Sequence, residues 1–322
     1  MNIELFGTPG AGKTMLLVGK RVAVRDDGEG SFQCLLGKLL VDGYVVDTSL
    51  LDDDTVYLWL DTPIETTISR NADRDGSSAC FGKHVWKGIP VAHKKVSTKE
   101  CQTAFHNLAR QTFIFLRAQG YKAYRIDGKA ALCAQREYMW NAISPLRLLE
   151  YGEYRQQSDS ICEKTLQDKK ATHWASAKLR WPYHALAQRA LNKLEIYSPK
   201  DVLEVGSCGV NIVKYSDSID YTGDIRWTGF VPDVEHDIRK LPWPVYDKQY
   251  HVAVALRVFH HLKPVQKEAF IEMMRVADYV CVLCPEAGKG GINRSLFMEC
   301  AESEPAVTVD TPFGPLLLFK SR

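Results

Sequence analysis

The chain has 322 residues, of which 45% are apolar and 25% charged, a composition typical of one or two soluble globular domains. Its 41 Lys and Arg residues nearly balance 39 Asp and Glu residues, and the net charge of +2 excludes a strong overall field for nucleic acid or a membrane surface. No apolar run is long enough to span a bilayer, so no membrane partner is expected. Nine cysteines without a framework spacing predict reduced thiols and a cytoplasmic location.

The first motif follows a short apolar run and has the spacing G-x-x-x-x-G-K-[ST]. An apolar-periodic segment comes after it, so the pattern predicts a strand, a phosphate-binding loop and a helix. The glycines Gly7, Gly10 and Gly12 let backbone N–H groups converge on phosphates, and the helix N-terminus adds partial positive charge. Lys13 would reach the β- and γ-phosphates of ATP, and Thr14 would be a ligand of Mg²⁺.

The next apolar run ends in Asp47, where a carboxylate would lie beside Mg²⁺ and the attacking hydroxyl. Asp47 is therefore a candidate metal ligand or general base, and a turn-initiating Asp is the alternative. A second strand is predicted from Val56 to Asp61, followed by a helix from residue 64 to 70. A longer helix is predicted over residues 98–119.

The segments GTPGAGKT, VVDTS, VYLWLDTPIETTISR, RNADRDG and YKAYRIDG together resemble the thymidylate kinase and deoxynucleoside kinase branch of the phosphate-loop kinases. The resemblance covers roughly residues 1–130 and implies a three-layer α/β domain with a kinase-type parallel sheet. It makes Arg70 and Arg74 arginines of a mobile lid over the transferring phosphate. Asp47 is followed by Thr48, where the family pattern has Arg.

Residues 83–99 form the clearly basic segment of this region, and Trp86 lies among its lysines and histidines. A lid or a groove for a nucleic-acid backbone is one interpretation, with Trp86 available for stacking. A solvated loop is the alternative. A largely helical, polar linker is expected over residues 131–172, and a second domain over residues 173–322.

The second domain opens with an apolar strand ending in Glu-x-Gly-x-x-Gly, at Glu204, Gly206 and Gly209. These glycines allow the backbone to approach an adenosyl ligand closely where a strand turns to a helix. The next two strands end in acids, Asp224 and Asp237, and an acid at the first of these places accepts hydrogen bonds from ribose hydroxyls. Further strands are predicted at residues 250–256 and 278–284, with a closing hairpin at 307–309 and 316–319.

This order resembles the class I S-adenosylmethionine-dependent methyltransferases over nearly the whole domain. The resemblance implies a seven-stranded Rossmann-like sheet, with Glu204 and Gly206 under the cofactor, Asp224 on the ribose and Asp237 beside the adenine amino group. A dinucleotide-binding oxidoreductase is disfavoured, because the full G-x-G-x-x-G is missing and the chain closes with a hairpin.

Two histidines after the fourth strand, His260 and His261, lie where that family lines its catalytic face. One is a candidate base or substrate-orienting group, and a packing or capping histidine is the alternative. The segment from His173 to His184 is aromatic and basic, and would contact the cofactor or substrate or pack as a plain amphipathic helix. Cys281 begins a lone C-x-x-C within a strand pattern, so no zinc site is expected there.

The leading hypothesis is a bifunctional transferase, with ATP-dependent phosphoryl transfer to a hydroxyl and methyl transfer from S-adenosylmethionine to an oxygen or nitrogen. Fusion of the two activities suggests a nucleotide or nucleic-acid substrate, and so compact a fusion suits a viral or phage genome and thus the host cytoplasm. The alternative is a methyltransferase whose first domain binds ATP only as a regulatory or substrate-presenting module. The short first domain and Thr48 in place of Arg favour that alternative.

Overall fold

The computed structural model of this α/β protein describes residues 2–8, 11, 51, 53–72, 98–167, 177–221, 230–283 and 294–322. Its contacts divide the chain into two compact units, Met1–Ile143 and Ser144–Arg322. The predicted linker is divided between them: helix α3 (Leu132–Ile143) belongs to the first unit and helix α4 (Tyr151–Gln167) to the second. No helix within the described ranges is both long and apolar enough to cross a membrane.

The described residues of the first unit form a sheet of three parallel strands in the order β1-β2-β3. The strands and the two helices between the second and the third are β1 (Asn2–Phe6), β2 (Thr55–Asp61), α1 (Ile64–Ala72), α2 (Lys99–Ala118) and β3 (Ala123–Asp127). Every residue of β2 is buried, which is typical of a parallel strand covered on both faces. Leu58 and Leu60 pack in the same cluster as Met139 of α3, whereas Trp59 meets Phe113 of α2 with 5.5 Å between the ring centroids.

The second unit contains a seven-stranded sheet in the order β6-β5-β4-β7-β8-β10-β9. The strands are β4 (Val202–Val205), β5 (Asp217–Asp220), β6 (Val234–Asp237), β7 (Tyr250–Leu256), β8 (Ala277–Leu283), β9 (Val307–Val309) and β10 (Leu316–Lys320). The first five pair in parallel, and β10 runs antiparallel to both β8 and β9. The predicted closing hairpin is therefore confirmed.

Helices cover this second sheet, which accounts for the apolar character of its strands on both faces. Helix α5 (Ala177–Leu191) packs with α4 and β10, and α6 (Gln266–Val276) packs with β7, β8 and α7 (Arg294–Ala301). Alternate residues of one strand enter different clusters: Val202 packs with the α4 and α5 cluster, and Leu203 with the α6 and α7 cluster. Because β4, β5, β6 and β7 run parallel, their carboxyl ends lie at one edge of the sheet.

Candidate functional site

The loop after β4 places two glycines in backbone conformations that other residues adopt with strain. Gly206 has φ +71°, and its N–H donates to the Ile219 carbonyl at 2.9 Å. A Cβ atom at Gly206 would lie 2.2 Å from Cγ2 of Val258, and one at Gly209 would lie 2.8 Å from the Phe230 ring. The loop thus lies directly against the residues that follow β7.

Glu204, which is 4% exposed, holds this loop in place through its carboxylate. The carboxylate accepts the backbone N–H groups of Ile212 and Val213 at 2.9 and 3.0 Å and the Ser216 hydroxyl at 2.8 Å. Burial raises the pKa of Glu204 to about 7, although these hydrogen bonds and the charge of Arg180 act in the opposite direction. The predicted cofactor residue Glu204 therefore holds the loop in shape.

Two further acids lie at the ends of neighbouring strands, on the same edge as the glycine loop. Asp220, the last residue of β5, is 1% exposed and accepts the Cys208 N–H at 2.9 Å. The predicted residue Asp237, which ends β6, accepts from Nε and Nη2 of Arg239 at 2.9 and 2.6 Å. The Arg239 guanidinium lies 5.1 Å from the centroid of the Tyr221 ring. Sequence analysis missed Asp220, since it took the strand on to Asp224.

The predicted histidines lie in a short 3-10 helix, Phe259–His261, that follows β7. The rings of His260 and His261 are 3.8 Å apart between centroids. Burial, followed by the positive charges of His261 and Arg257, lowers the pKa of His260 to about 4. The imidazole of His260 is consequently neutral at physiological pH.

In the first unit, the described part of the predicted phosphate-binding loop packs against the carboxyl end of β2. Gly7 has φ +153°, and a Cβ atom there would lie 2.7 Å from the Leu60 carbonyl oxygen. The Ala11 carbonyl accepts from the Thr62 hydroxyl and from Nη1 of Arg70, both at 2.9 Å. The predicted lid residue Arg70 thus contacts the loop that contains Gly7.

Asp61 and its partners form a polar group beside this loop that sequence analysis did not identify. The Asp61 carboxylate accepts from Nε of Arg125 at 2.7 Å and lies 2.8 Å from Nε2 of His106. Burial acts to raise the pKa of Asp61, but the bonds and charges of His106 and Arg125 outweigh it and lower the pKa. These three side chains line a cavity of about 340 Å³, together with Asp127 and Lys129 at the end of β3.

The remaining predicted site residues lie outside the described ranges and stay predictions: Gly10, Gly12, Lys13, Thr14, Asp47, Arg74 and Asp224. Residues 83–97 of the basic segment lie outside them as well. The expected Mg²⁺ ligands, Thr14 and Asp47, are in this group. Among the residues that the structure describes, no cluster of three or more His, Cys, Asp or Glu side chains is arranged to hold a metal ion. Cys281 is buried in β8 as a free thiol.

No protein-family model matches the chain, and no curated protein is significantly similar to it in sequence. Among solved structures, the chain is similar to a SAM-dependent methyltransferase from Aquifex aeolicus, with 15% identity, 41% of this chain and 88% of that chain covered, and a TM-score of 0.30. It is also similar to deoxyadenosine kinase from M. mycoides with bound dCTP, with 14% identity, 44% and 97% covered, and a TM-score of 0.28. These are distant similarities, and they assign no activity to this chain.

Proposed function

We propose that the second unit transfers a methyl group from S-adenosylmethionine to an acceptor. The order of its seven strands supports this proposal most strongly. From β4 the chain adds β5 and β6 on one side and β7 and β8 on the other, so the strand order reverses between β4 and β7. In open α/β sheets, ligands bind in the crevice at such a switch point, outside the carboxyl ends of the strands. The antiparallel β10 completes the sheet and hairpin that the methyltransferase resemblance implies.

The side chains and glycines at this edge fit the cofactor. The loop that contains Gly206 and Gly209, which pack against Val258 and Phe230, would pass close beneath it, and Glu204 would keep that loop in place. Asp224 would accept from the ribose hydroxyls and Asp237 would lie beside the adenine. When bound, S-adenosylmethionine supplies an electrophilic methyl group on a sulfonium. The protein's contribution is mainly alignment of the acceptor with that group, because proximity and orientation lower the barrier of an in-line displacement.

His260 would position the acceptor in this scheme. A pKa of about 4 leaves its ring unprotonated, so one nitrogen can accept a hydrogen bond from an acceptor hydroxyl or amine. Such a pKa makes His260 a weak proton acceptor at neutral pH, since general bases work best with pKa values near the operating pH. We assign His260 to orientation of the acceptor. The proton that the methylated acceptor loses passes finally to water.

For the first unit we propose ATP-dependent phosphoryl transfer to a hydroxyl. Support comes from the close packing of Gly7 at the start of the loop and from the hydrogen bond that Arg70 donates to the loop carbonyl. Lys13 and a Mg²⁺ ion held by Thr14 would neutralise the phosphates, with Asp47 beside the metal. Positioning and charge neutralisation supply most of the catalysis in this class of reaction.

The acceptor that we propose for both activities is a nucleotide or nucleic acid. The test is incubation of the full chain with γ-labelled ATP and methyl-labelled S-adenosylmethionine, against nucleosides, DNA and RNA, including DNA with hydroxymethylated bases. Label from both donors in one substrate supports the bifunctional proposal. Methyl label alone, with ATP bound but not consumed, would overturn the kinase proposal.

The alternative, in which the first unit is only an ATP-binding module, is separated from the kinase by a Lys13→Ala variant. If the unit is a kinase, this variant loses the phosphorylated product and keeps methyl transfer to acceptors that need no phosphorylation. If the unit only presents substrate, methyl transfer itself falls, and no phosphorylated product is formed by the unmodified protein either.

A further inference from the structure

A second group of side chains surrounds the end of β7, close to His260. Arg257, the first residue after β7, has φ +60°, a conformation that is strained for an arginine. Its N–H donates to the carbonyl of Leu283 at the end of β8, at 2.7 Å, which holds the strained backbone in place. Strain of this kind occurs preferentially at functional sites. The strained backbone therefore makes the Arg257 guanidinium a candidate for a functional role.

The Arg257 guanidinium lies over two aromatic rings, 5.6 Å from the centroid of Tyr183 and 5.7 Å from that of Phe313. Cation–π contacts hold an arginine in place without neutralising its charge. In the described part of the chain no carboxylate pairs with Arg257, and its buried Nε has no hydrogen-bond partner. The Arg257 guanidinium is thus positively charged and has N–H groups that can donate to another group.

A second arginine and a histidine of α5 lie in the same place. Arg180 is 6% exposed and His184 is 2% exposed, and neither ring nitrogen of His184 has a hydrogen-bond partner among the described residues. Burial, then the charges of Arg180 and Arg257, holds the pKa of His184 well below its usual value. The centroid of the His184 ring lies 4.7 Å from that of the Tyr183 ring, over which Arg257 is placed. We call these side chains the arginine–aromatic cluster: Arg180, Tyr183, His184, Arg257 and Phe313.

The charge balance of the cluster is positive. Its histidine is neutral, and the buried carboxylate of Glu204, which feels the charge of Arg180, already accepts the N–H groups of the glycine loop. A guanidinium held against aromatic rings without a carboxylate partner is costly, and a bound anion would offset that cost. Arginine is suited to this task because its planar fork binds phosphate or carboxylate through two parallel hydrogen bonds.

We propose that Arg257, held in place by Tyr183 and Phe313, binds an oxyanion of the methyl acceptor, a phosphate or a carboxylate, beside His260. This proposal rests on the methyl-transfer function proposed above. An acceptor is favoured over the cofactor because Arg257 and His260 follow β7, on the opposite side of β4 from β6, which ends in Asp237, the residue proposed to lie beside the adenine. The second unit would then select acceptors by their negative charge.

The test uses the full chain saturated with S-adenosylhomocysteine and a non-hydrolysable ATP analogue, which fill both proposed cofactor sites. Inorganic phosphate and, separately, acetate are titrated at constant ionic strength, and binding is measured by calorimetry. We expect one or both anions to bind, and Arg257→Met to weaken that binding about tenfold or more, since a charge-assisted hydrogen bond is lost. Arg257→Gly should do the same with an unstrained backbone, and Arg155→Met, at an exposed surface pair, should leave binding unchanged.

Each outcome has a definite meaning. If phosphate and acetate both fail to bind, or bind equally to the protein with and without Arg257, the proposal is wrong. If the Arg257 variants lose affinity for S-adenosylhomocysteine instead, the guanidinium holds the cofactor's carboxylate, and the proposal is wrong in that way. If S-adenosylhomocysteine does not bind to the unmodified protein, the methyl-transfer function itself fails. The relative affinities of phosphate and acetate decide which oxyanion the site prefers.

Discussion

Glu204→Gln is the most informative single substitution in the second unit. Glu204 is buried, and its pKa is raised from 4.5 to about 7. Between these two values the folded protein holds a proton that the unfolded protein has released, so the free energy of unfolding falls as the pH rises. Glutamine keeps one oxygen acceptor for the loop and cannot titrate. The part of the pH dependence that comes from Glu204 should therefore disappear in the variant.

The size of the effect follows from the shift. With pKa values of 4.5 unfolded and about 7 folded, the stabilisation lost between pH 5 and pH 8 is about 2–3 kcal/mol, at roughly 1.36 kcal/mol per pKa unit. His184 contributes the opposite slope, because its lowered pKa makes folding more favourable as the pH rises towards its usual value. Both proteins contain His184. Subtracting the variant's free energy of unfolding from that of the unmodified protein at each pH therefore removes the His184 contribution.

Hydrogen exchange at the Ile212 and Val213 amides measures this directly, because both N–H groups donate to Glu204. After correction for intrinsic exchange rates, protection relative to the variant should fall roughly 30- to 160-fold between pH 5 and pH 8, the equivalent of about 2–3 kcal/mol. Glu268→Gln, at an exposed position of α6, is the matched control and should follow the unmodified protein. Parallel profiles for the unmodified protein and Glu204→Gln would refute the reasoning.

Three further substitutions test other parts of the account. Gly206→Ala places a Cβ atom 2.2 Å from a Val258 methyl on a backbone with φ +71°. The variant should lower the free energy of unfolding by about 1–3 kcal/mol, measured by denaturation. It should also abolish the binding of S-adenosylhomocysteine, measured by calorimetry. Arg70→Ala should lower the kcat of phosphoryl transfer about 100-fold, with ATP still bound; an unchanged kcat would remove Arg70 from the lid. Lys200→Met strands the buried carboxylate of Asp217 and should cost about 3–5 kcal/mol in urea denaturation, which Asp217→Leu in the same chain should largely restore.

Much of the fold is predictable because the relevant signals are local. The strand from Val56 to Asp61 is a continuous apolar run that ends just before a proline, and the structure forms it over Thr55–Asp61. The apolar run of β7 is an equally direct signal, since a buried strand is apolar along most of its length. The glycines after β4 were found because a tight turn with positive φ demands them.

Side-chain groups drawn from distant parts of the sequence were not predictable in this way. Asp61 meets His106 and Arg125, which are 45 and 64 residues away. Arg257 meets rings on α5 and on the β9–β10 turn, and no spacing rule connects these elements. Glu204 was assigned to the cofactor by resemblance, but its partners are backbone N–H groups, which leave no signature in a sequence. Only the folded chain shows these relationships.

The central claim is that the second unit binds S-adenosylmethionine on the loop after β4. Ultraviolet crosslinking of methyl-labelled S-adenosylmethionine to the full chain, followed by peptide mapping, tests it most directly. The account predicts label in peptides that contain residues 202–213, competition by unlabelled S-adenosylhomocysteine, and loss of label in Gly206→Ala. Absence of crosslinking, or label confined to residues 1–143, would contradict it.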